Sequence, residues 1–459
     1  MSEPTALSLI PPAVVLTLAI FLRRPILALI LGAVSGLLLL SPAQALNNFS
    51  AISLAVMQDE TIGWLILVCG SFGALIALLV RTGGALAFGR AALTLAKGRR
   101  SSLLMTVALG VVIFVDDYLN ALTVGETMKR VTDRFKISRE MLAYVVDSTA
   151  APICVLVPLS TWAVFFGGLL ESNDIAAAGQ GVSVYIQAIP YMLYAWFAVI
   201  LVFLVAAGVV PAIGPMRKAE MLARHGSAGA MYVGEVSPEH SYSMKALEEE
   251  FEGADQEGGK LRNFLLPLLM LVGFTVYFDI DVWMGMLATL LITVPFYLVQ
   301  RLMPLSEMLD QMVDGFKTML PAIGIVIAAF IFKEVCDQLM LPQYVVESLK
   351  PYMSPQMLPA MVFLAMAVLA FATGSSWGIF AVTIPIVMPL AHALQADIPL
   401  TIGALLSASA FGSQACFYSD STVLAAQGAG CNLISHALTQ LPYTLIAAGL
   451  AFVGFVLIA

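Results

Sequence analysis

The stretch YSDSTVLAAQGAGC, residues 418–431, carries a single formal charge, Asp420, in a strongly apolar part of the chain. Beyond Lys350 the sequence contains no Lys or Arg, and its only acidic residues are Asp397 and Asp420. A carboxylate at the centre of a membrane helix costs on the order of 2.5–3.5 kcal/mol. Asp420 therefore needs a proton, a basic partner or a bound cation, which makes it a candidate functional residue.

The rest of the chain is similarly apolar. Its 459 residues are 60% hydrophobic and 11% charged, whereas soluble globular proteins carry roughly a quarter charged residues. Many apolar runs are long enough to cross a bilayer as helices, which takes about 20 residues, and none alternates like the strands of a membrane barrel. We predict an all-α integral membrane protein, a polytopic helical bundle whose surroundings are the lipid bilayer. Arg23 and Arg24 follow the first run in place of a small-residue cleavage site, so we expect a retained span.

Net charge and cysteine content argue against several other classes. The net charge of −8, much of which lies in one polar loop, suggests no nucleic-acid partner. The five cysteines are scattered through apolar runs and lack the paired spacing of a metal site. We therefore expect no resident cofactor, with any ion being transported or coupled, and we expect no enzyme activity.

A polar, acidic, Gly-containing segment at 212–262 divides the membrane part of the chain into two halves. We interpret it as a cytoplasmic linker. The N-terminal membrane half is then 1–211, with a repeat core at about 60–175, and the C-terminal half is 263–459, with a repeat core at about 319–435.

The run at 102–125 is long enough to cross a membrane, yet five basic residues follow it between positions 129 and 139. Short cytoplasmic loops are enriched in Lys and Arg, so a crossing would place these residues on the outer side. A segment that enters the membrane and returns to the same side removes the conflict. We predict a re-entrant helical hairpin that holds Asp116, Asp117, Asn120 and Thr123.

Three features of the first half recur in the second half in the same order. The first is a helix rich in small residues, at 63–84 and at 320–340. The second is the hairpin segment, at 114–125 and at 371–385, and the third is the tripeptide Asp-Ser-Thr, at 147–149 and at 420–422. Counting spans makes the second set enter the membrane from the opposite face. This predicts two inverted-topology repeats, each with a re-entrant hairpin and an interrupted transmembrane helix, which is typical of secondary transporters.

The repeated tripeptide is the predicted cation site. Carboxylate and hydroxyl oxygens, together with backbone carbonyls at helix breaks near 150–152 or 428–430, suit Na⁺. The same carboxylates would bind protons in competition with the cation, because desolvation and a nearby cation shift their protonation in opposite directions. The predicted Na⁺ ligands are Asp147, Ser148, Thr149, Asp420, Ser421 and Thr422, with the metal held between Asp147 and Asp420.

Structural roles remain open for several of these residues. Ser and Thr in membrane helices often bond to their own backbone or join helices. One of Asp116 and Asp117 caps the hairpin helix in this alternative. His392 and His436 are expected near membrane ends, with a modest polar role.

Four motifs resemble the NhaC family of sodium/proton antiporters within the ion transporter superfamily. They are VDDYLNALTVG (115–125), VVDSTAAPICVLVPLSTW (145–162), ATGSSWGIFAVTIPI (372–386) and SDSTVLAAQGAGCNLISHALTQLPY (419–443). The resemblance implies two inverted repeats and a homodimer. Family members usually carry an acidic–His pair and a Ser-Pro where this chain reads GSQACFY at 412–418, which favours an organic solute there. Some relatives carry amino acids or small carboxylates.

We therefore expect a sodium-coupled secondary active transporter of the bacterial inner membrane, with both termini outside, working most simply as a Na⁺/H⁺ antiporter by alternating access. Asp116, Asp117, Asn120 and Thr123 would be linked to the proton or support the cation ligands. The alternative is a Na⁺-driven symporter or exchanger of an amino acid or small carboxylate. Its predicted solute-binding residues are Ser375, Ser376, Trp377, Ser413, Gln414 and Tyr418. An intramembrane aspartyl protease that uses Asp147 and Asp420 is a remote third reading.

Overall fold

The fold is described from a computed structural model that covers residues 5–22, 24–83, 87, 95–224, 260–279, 281–373, 376–417 and 419–459. Within these ranges the chain is helical and contains no strand, as the composition predicts. The predicted solute-binding residues Ser375 and Tyr418 lie outside the described residues. So do the side chains of Ser376, Trp377 and Asp420.

The helices of the first half run from an N-terminal pair to a short amphipathic helix at the linker. They are α1 (Ile10–Leu22), α2 (Pro25–Leu40), α3 (Ala45–Met57), α4 (Glu60–Arg81), α5 (Arg99–Val112), α6 (Asp117–Arg134), α7 (Arg139–Thr149), α8 (Ala151–Leu156), α9 (Thr161–Ser172), α10 (Gly181–Ala188), α11 (Leu193–Ala206) and α12 (Gly214–Arg224).

The helices of the second half begin after the linker and end close to the C-terminus. They are α13 (Leu261–Tyr277), α14 (Val282–Val299), α15 (Leu305–Thr318), α16 (Leu320–Gln338), α17 (Leu341–Leu349), α18 (Leu358–Thr373), α19 (Ser376–Leu394), α20 (Ile398–Ala415), α21 (Asp420–Ala429) and α22 (Leu433–Ile458).

Several helices meet the length and composition of a membrane span. Within the described ranges, three are long and apolar enough by themselves: Ile62–Arg81, Val282–Val299 and Leu433–Ile458. The number rises to six if each bent pair of helices counts as one span. One such pair joins Arg139–Leu156 to Thr161–Ser172 at an angle of 42°. These helices support the prediction of a polytopic membrane protein.

The predicted hairpin is a pair of helices, α5 and α6, separated by a break at 113–116. Asp116 caps α6, because its carboxylate accepts hydrogen bonds from the backbone N–H groups of Tyr118 and Leu119. Asn120, in the first turn of α6, reaches back to the carbonyls of Gly110 and Ile113 at the end of α5. The second half contains a comparable pair, α18 and α19, which pack together.

The two Asp-Ser-Thr tripeptides lie on different sides of their helix breaks. Positions 147–149 are the last residues of α7, and the break follows at Ala150, whose ψ is −96°. Positions 420–422 are instead the first residues of α21, after the break that follows Ala415. Local chemistry explains the difference, because Pro152 favours a helix start just after the first tripeptide, whereas Ser419 caps the helix that starts with the second.

The two halves pack closely through α4 and α15. Gly73 and Gly315 allow this approach, since a Cβ atom at Gly73 would lie 2.1 Å from the carbonyl oxygen of Gly315. At the end of α4, Arg81 donates two hydrogen bonds to Glu307 Oε1, at 2.6 and 3.0 Å. The halves therefore form one packed bundle.

Candidate functional site

Asp147 is the centre of the candidate site. Its side chain is fully buried on the last turn of α7. Three side chains from the second half surround its Oδ2 atom: Gln440 Nε2 at 2.9 Å, Thr422 Oγ1 at 3.2 Å and His436 Nε2 at 3.3 Å. Thr422 lies on α21, and His436 and Gln440 lie on α22. The tertiary structure thus brings one predicted ligand from each half together, Asp147 and Thr422.

The second carboxylate oxygen, Asp147 Oδ1, is buried and has no hydrogen-bond partner within the described ranges. Within the described part of the chain, the basic side chain in contact with Asp147 is that of His436, and no Lys or Arg pairs with it. An unpartnered anionic oxygen in an apolar interior is costly. Asp147 therefore has the chemistry of a site that takes up a cation or a proton.

Most of the other oxygen atoms of the candidate site, both hydroxyls and backbone carbonyls, come from the residues around the break between α20 and α21. Ser421 Oγ donates to the carbonyl of Ser413 at 2.8 Å and lies 2.8 Å from Ser413 Oγ. Thr422 Oγ1 lies 3.2 Å from the same carbonyl and 3.4 Å from that of Gln414. Ser419 Oγ accepts from the backbone N–H of Thr422 and so starts α21. The hydroxyls of this break therefore shape the site as well as lining it.

Gln414 joins the break to the first half of the chain. Its Nε2 donates to Ser148 Oγ at 2.6 Å, and its Oε1 accepts from the Tyr194 hydroxyl at 2.7 Å. Its backbone carbonyl accepts from Gln440 Nε2 at 2.6 Å. Both polar ends of the Gln414 side chain thus have a partner inside the protein, while its role in holding an organic solute stays a prediction.

The residues of the first hairpin have mainly structural contacts here. Asp116 caps α6, as the structural alternative proposed, and its Oδ2 accepts from Thr161 Oγ1 at 3.0 Å. Asn120 Nδ2 donates to the Thr149 carbonyl at 2.9 Å and so ties the hairpin to the break in α7. Thr149 Oγ1 bonds back to the Val145 carbonyl at 2.9 Å, so its hydroxyl supports its own helix. Asp117 and Thr123 are buried.

Two residues of the site were missed in the sequence, His436 and Gln440. His436, which was expected near a membrane end with a modest polar role, has a fully buried side chain that contacts Asp147. The sequence contained a pattern that points to both, because the two polar residues are four positions apart in an apolar helix and so share one face. Tyr194, the partner of Gln414, had no comparable signal in its apolar helix.

A buried carboxylate at the end of a half-helix, facing a second interrupted helix inside an apolar bundle, is the arrangement of a secondary membrane transporter. The sequence profile of the Na⁺/H⁺ antiporter family matches residues 153–459. The chain belongs to this family, which confirms the resemblance of its motifs to the NhaC antiporters. The matched range includes α20, α21 and α22.

Similar proteins extend over almost the whole chain. An uncharacterized protein of Haemophilus influenzae is 29% identical, across 98% of this chain and 90% of its own length. The YdaH transporter of Alcanivorax borkumensis, whose crystal structure has an unusual topology, superposes with a TM-score of 0.54 at 12% identity over 90% of this chain and 87% of its own. MtrF of Neisseria gonorrhoeae, described with a class of antimetabolite efflux pumps, gives 0.49 at 12% identity over 92% and 85%. The similarity to YdaH supports the transporter fold.

Proposed function

We propose that this protein exchanges Na⁺ for H⁺ across the membrane and that Asp147 is the carboxylate both ions share. The observation that carries the proposal is the environment of Asp147, which is fully buried, has one oxygen without a hydrogen bond and has no Lys or Arg partner among the described residues. Such a carboxylate is most stable when a cation or a proton neutralises it.

The surroundings of Asp147 suit a hard cation. Asp147 lies at the C-terminal end of α7, where the helix dipole places partial negative charge. Thr422 contributes a hydroxyl, and the break between α20 and α21 exposes the carbonyls of Ser413 and Gln414 beside it. Half-helix ends and unwound carbonyls are how transporters coordinate Na⁺. We assign Asp420, at the start of α21, to the same cation site on the grounds of its position in the sequence.

Competition between the two ions follows from the shared carboxylate. A proton on Asp147 removes the negative charge that Na⁺ needs, and bound Na⁺ disfavours the proton. His436 is a second titratable group in direct contact with Asp147. Na⁺ release into one compartment would thus be coupled to proton uptake from it, which is the exchange that an antiporter requires.

The test is transport by purified protein in sealed liposomes with a pH-sensitive dye inside. An imposed Na⁺ gradient should move protons in the opposite direction with the wild-type protein. Asp147→Asn should reduce this exchange at least tenfold, because the amide cannot carry the charge that both ions share. Asp397→Asn is the matched control, since Asp397 is exposed and caps α20 by accepting from the Leu400 N–H, and an Asn can also cap a helix.

Full exchange by Asp147→Asn would overturn the assignment. The same liposomes also test the organic-solute alternative. Sodium-driven accumulation of a labelled amino acid or small dicarboxylate, with no proton movement, would replace antiport by solute transport at the same cation site.

A further inference from the structure

Helix α6 has a row of buried polar side chains that the proposed ion site does not use. Asn120, Thr123 and Thr127 are spaced by three and four residues, so they lie within about 60° of one another around the helix. All three are at least nine-tenths buried, with exposures of 0%, 1% and 7%. Asn120 Oδ1, Thr123 Oγ1 and Thr127 Oγ1 have no hydrogen-bond partner among the residues that the structure describes.

This lack of partners is not the usual behaviour of a membrane-helix threonine. A threonine hydroxyl ordinarily bonds back to a carbonyl of the preceding turn. Thr132, farther along α6, does so with the carbonyls of Met128 and Lys129, at 3.1 and 2.9 Å. Thr123 and Thr127 do not. Because buried polar atoms in native proteins nearly always have a partner, these three atoms have free hydrogen-bonding capacity, among the described residues, for a molecule from outside the chain.

The contacts of α6 show which way this row faces. Gly125, on the other side of α6, packs against Gly428 of α21, since a Cβ atom there would lie 2.6 Å from the Gly428 backbone. Asn120, in contrast, donates to Gly110 of α5 and to Thr149 of α7, at 2.7 and 2.9 Å. The polar row therefore follows the seam where α6 meets α5 and α7.

The seam connects the linker end of these helices with the ion site. At its inner end, Asn120 holds the carbonyl of Thr149, two residues beyond Asp147. Its other end, nearest the linker, is formed by the first residues of α5 and α7 and the last residues of α6. There Glu220 of α12 pairs with Arg99 at the start of α5 and accepts from Ser138, the cap of α7, at 2.7 Å. Two buried polar residues of α5, Ser102 and Thr106, precede Gly110 by eight and four positions, on the same side of that helix.

We propose that the seam between α5, α6 and α7 is a hydrated path along which a monovalent cation or a proton moves between the linker side and the helix break at Ala150. Water molecules supply the missing partners of Asn120, Thr123 and Thr127. A small cation exchanges these waters for the same oxygens as it passes. The proposal rests on the proposed function in one respect, that Asp147 is the place where the path ends.

The path is tested by cysteine labelling, with the five native cysteines replaced by alanine. Thr123→Cys and Thr127→Cys are nearly isosteric, and Ala121→Cys is the matched control because Ala121 is fully buried on a different side of α6. A positively charged, membrane-impermeant methanethiosulfonate is applied to each side of sealed vesicles. We expect both threonine positions to react at least tenfold faster than the control from the linker side.

Labelling of Thr123→Cys and Thr127→Cys no faster than Ala121→Cys from either side, in protein that elutes as a single folded species, would overturn the path. The readout does not depend on transport. Rapid labelling in a protein that moves no protons would contradict the antiport proposal and support the path. Active Na⁺/H⁺ exchange in a protein whose introduced cysteines do not react would support antiport and contradict the path.

Discussion

At the scale of single residues, the candidate site depends on side chains of two kinds. One kind would neutralise the charge of a bound cation, and the other donates hydrogen bonds to the free carbonyls at the helix breaks. Asp147 belongs to the first kind and Asn120 to the second. The Nδ2 group of Asn120 donates to the carbonyls of Gly110, Ile113 and Thr149, at 2.7, 2.9 and 2.9 Å. These carbonyls lie at or near helix ends, where backbone acceptors lack a partner within the helix. Asn120 thus joins two interrupted helices at the point where the ion site begins.

Replacing Asn120 by Leu should destabilise the protein strongly. The two side chains have the same branched shape, but the three buried carbonyls share the two N–H bonds of Asn120, so two hydrogen bonds are lost, at about 1 kcal/mol each. We expect the free energy of unfolding to fall by about 2 kcal/mol on this reasoning. The measurement is the thermal unfolding midpoint in detergent, with Asn173→Leu as control, because Asn173 bonds only to its own helix end and is partly exposed. Equal midpoints for the two variants would contradict the role of Asn120.

At the scale of helices, the short amphipathic α12 holds the ends of α5 and α7 that lie nearest the linker. Met216, Ala219, Glu220 and Ala223 form its buried face. Glu220 Oε1 accepts from the backbone N–H of Ser138 at 3.0 Å, and its Oε2 pairs with Arg99. A single carboxylate therefore connects α12 to the first residues of both α5 and α7.

Loss of this carboxylate should loosen the helix ends. Glu220→Ala removes the partner of Arg99 and the acceptor for Ser138. We expect the free energy of unfolding to fall by about 2–4 kcal/mol. This is less than the cost of breaking a fully buried ion pair, because Arg99 is partly exposed. Glu220→Gln should lose less, since its amide oxygen still accepts from Ser138. Glu334→Ala, at an exposed position bonded to Gln338, should change stability by under about 0.5 kcal/mol. Urea or thermal unfolding that ranks Glu220→Ala with Glu334→Ala would disprove this role for α12.

At the scale of the whole molecule, the site exists only because the two halves interlock. Asp147 comes from the first half, and Thr422, His436 and Gln440 come from the second. The close contact of α4 with α15 at Gly73 and Gly315 is part of the packing that keeps the halves in register.

Two glycines of α4 provide a matched test of this contact. Gly63→Ala should be neutral or stabilise by up to about 1 kcal/mol, because alanine favours helix and nothing lies within 4 Å of the new Cβ. Gly73→Ala gains the same propensity but places its Cβ 2.1 Å from the carbonyl of Gly315, so we expect a clear loss of folded protein. The readout is the yield and midpoint of folded protein in detergent. A Gly73→Ala variant as stable as Gly63→Ala would show that the halves tolerate separation there.

Much of the architecture was predictable from local patterns. Apolar length predicted the membrane spans, and the position of basic residues predicted a helical hairpin within 102–125, where the structure has α5 and α6 on either side of a break at 113–116. The cap at Asp116 and the break after Thr149 followed from Asp and Pro chemistry. The register of the second tripeptide depends on Ser419 capping α21, which is local chemistry of the same kind, although the prediction did not draw on it.

By itself, the sequence determined that this protein is a helical membrane transporter with buried acids at helix breaks, because a bilayer demands apolar length and satisfied backbone groups wherever a chain crosses it. Only the tertiary structure decided which side chains meet at Asp147. His436 is 289 positions away along the chain, and such a contact is set by the packing of α7 against α21 and α22 and not by any local pattern.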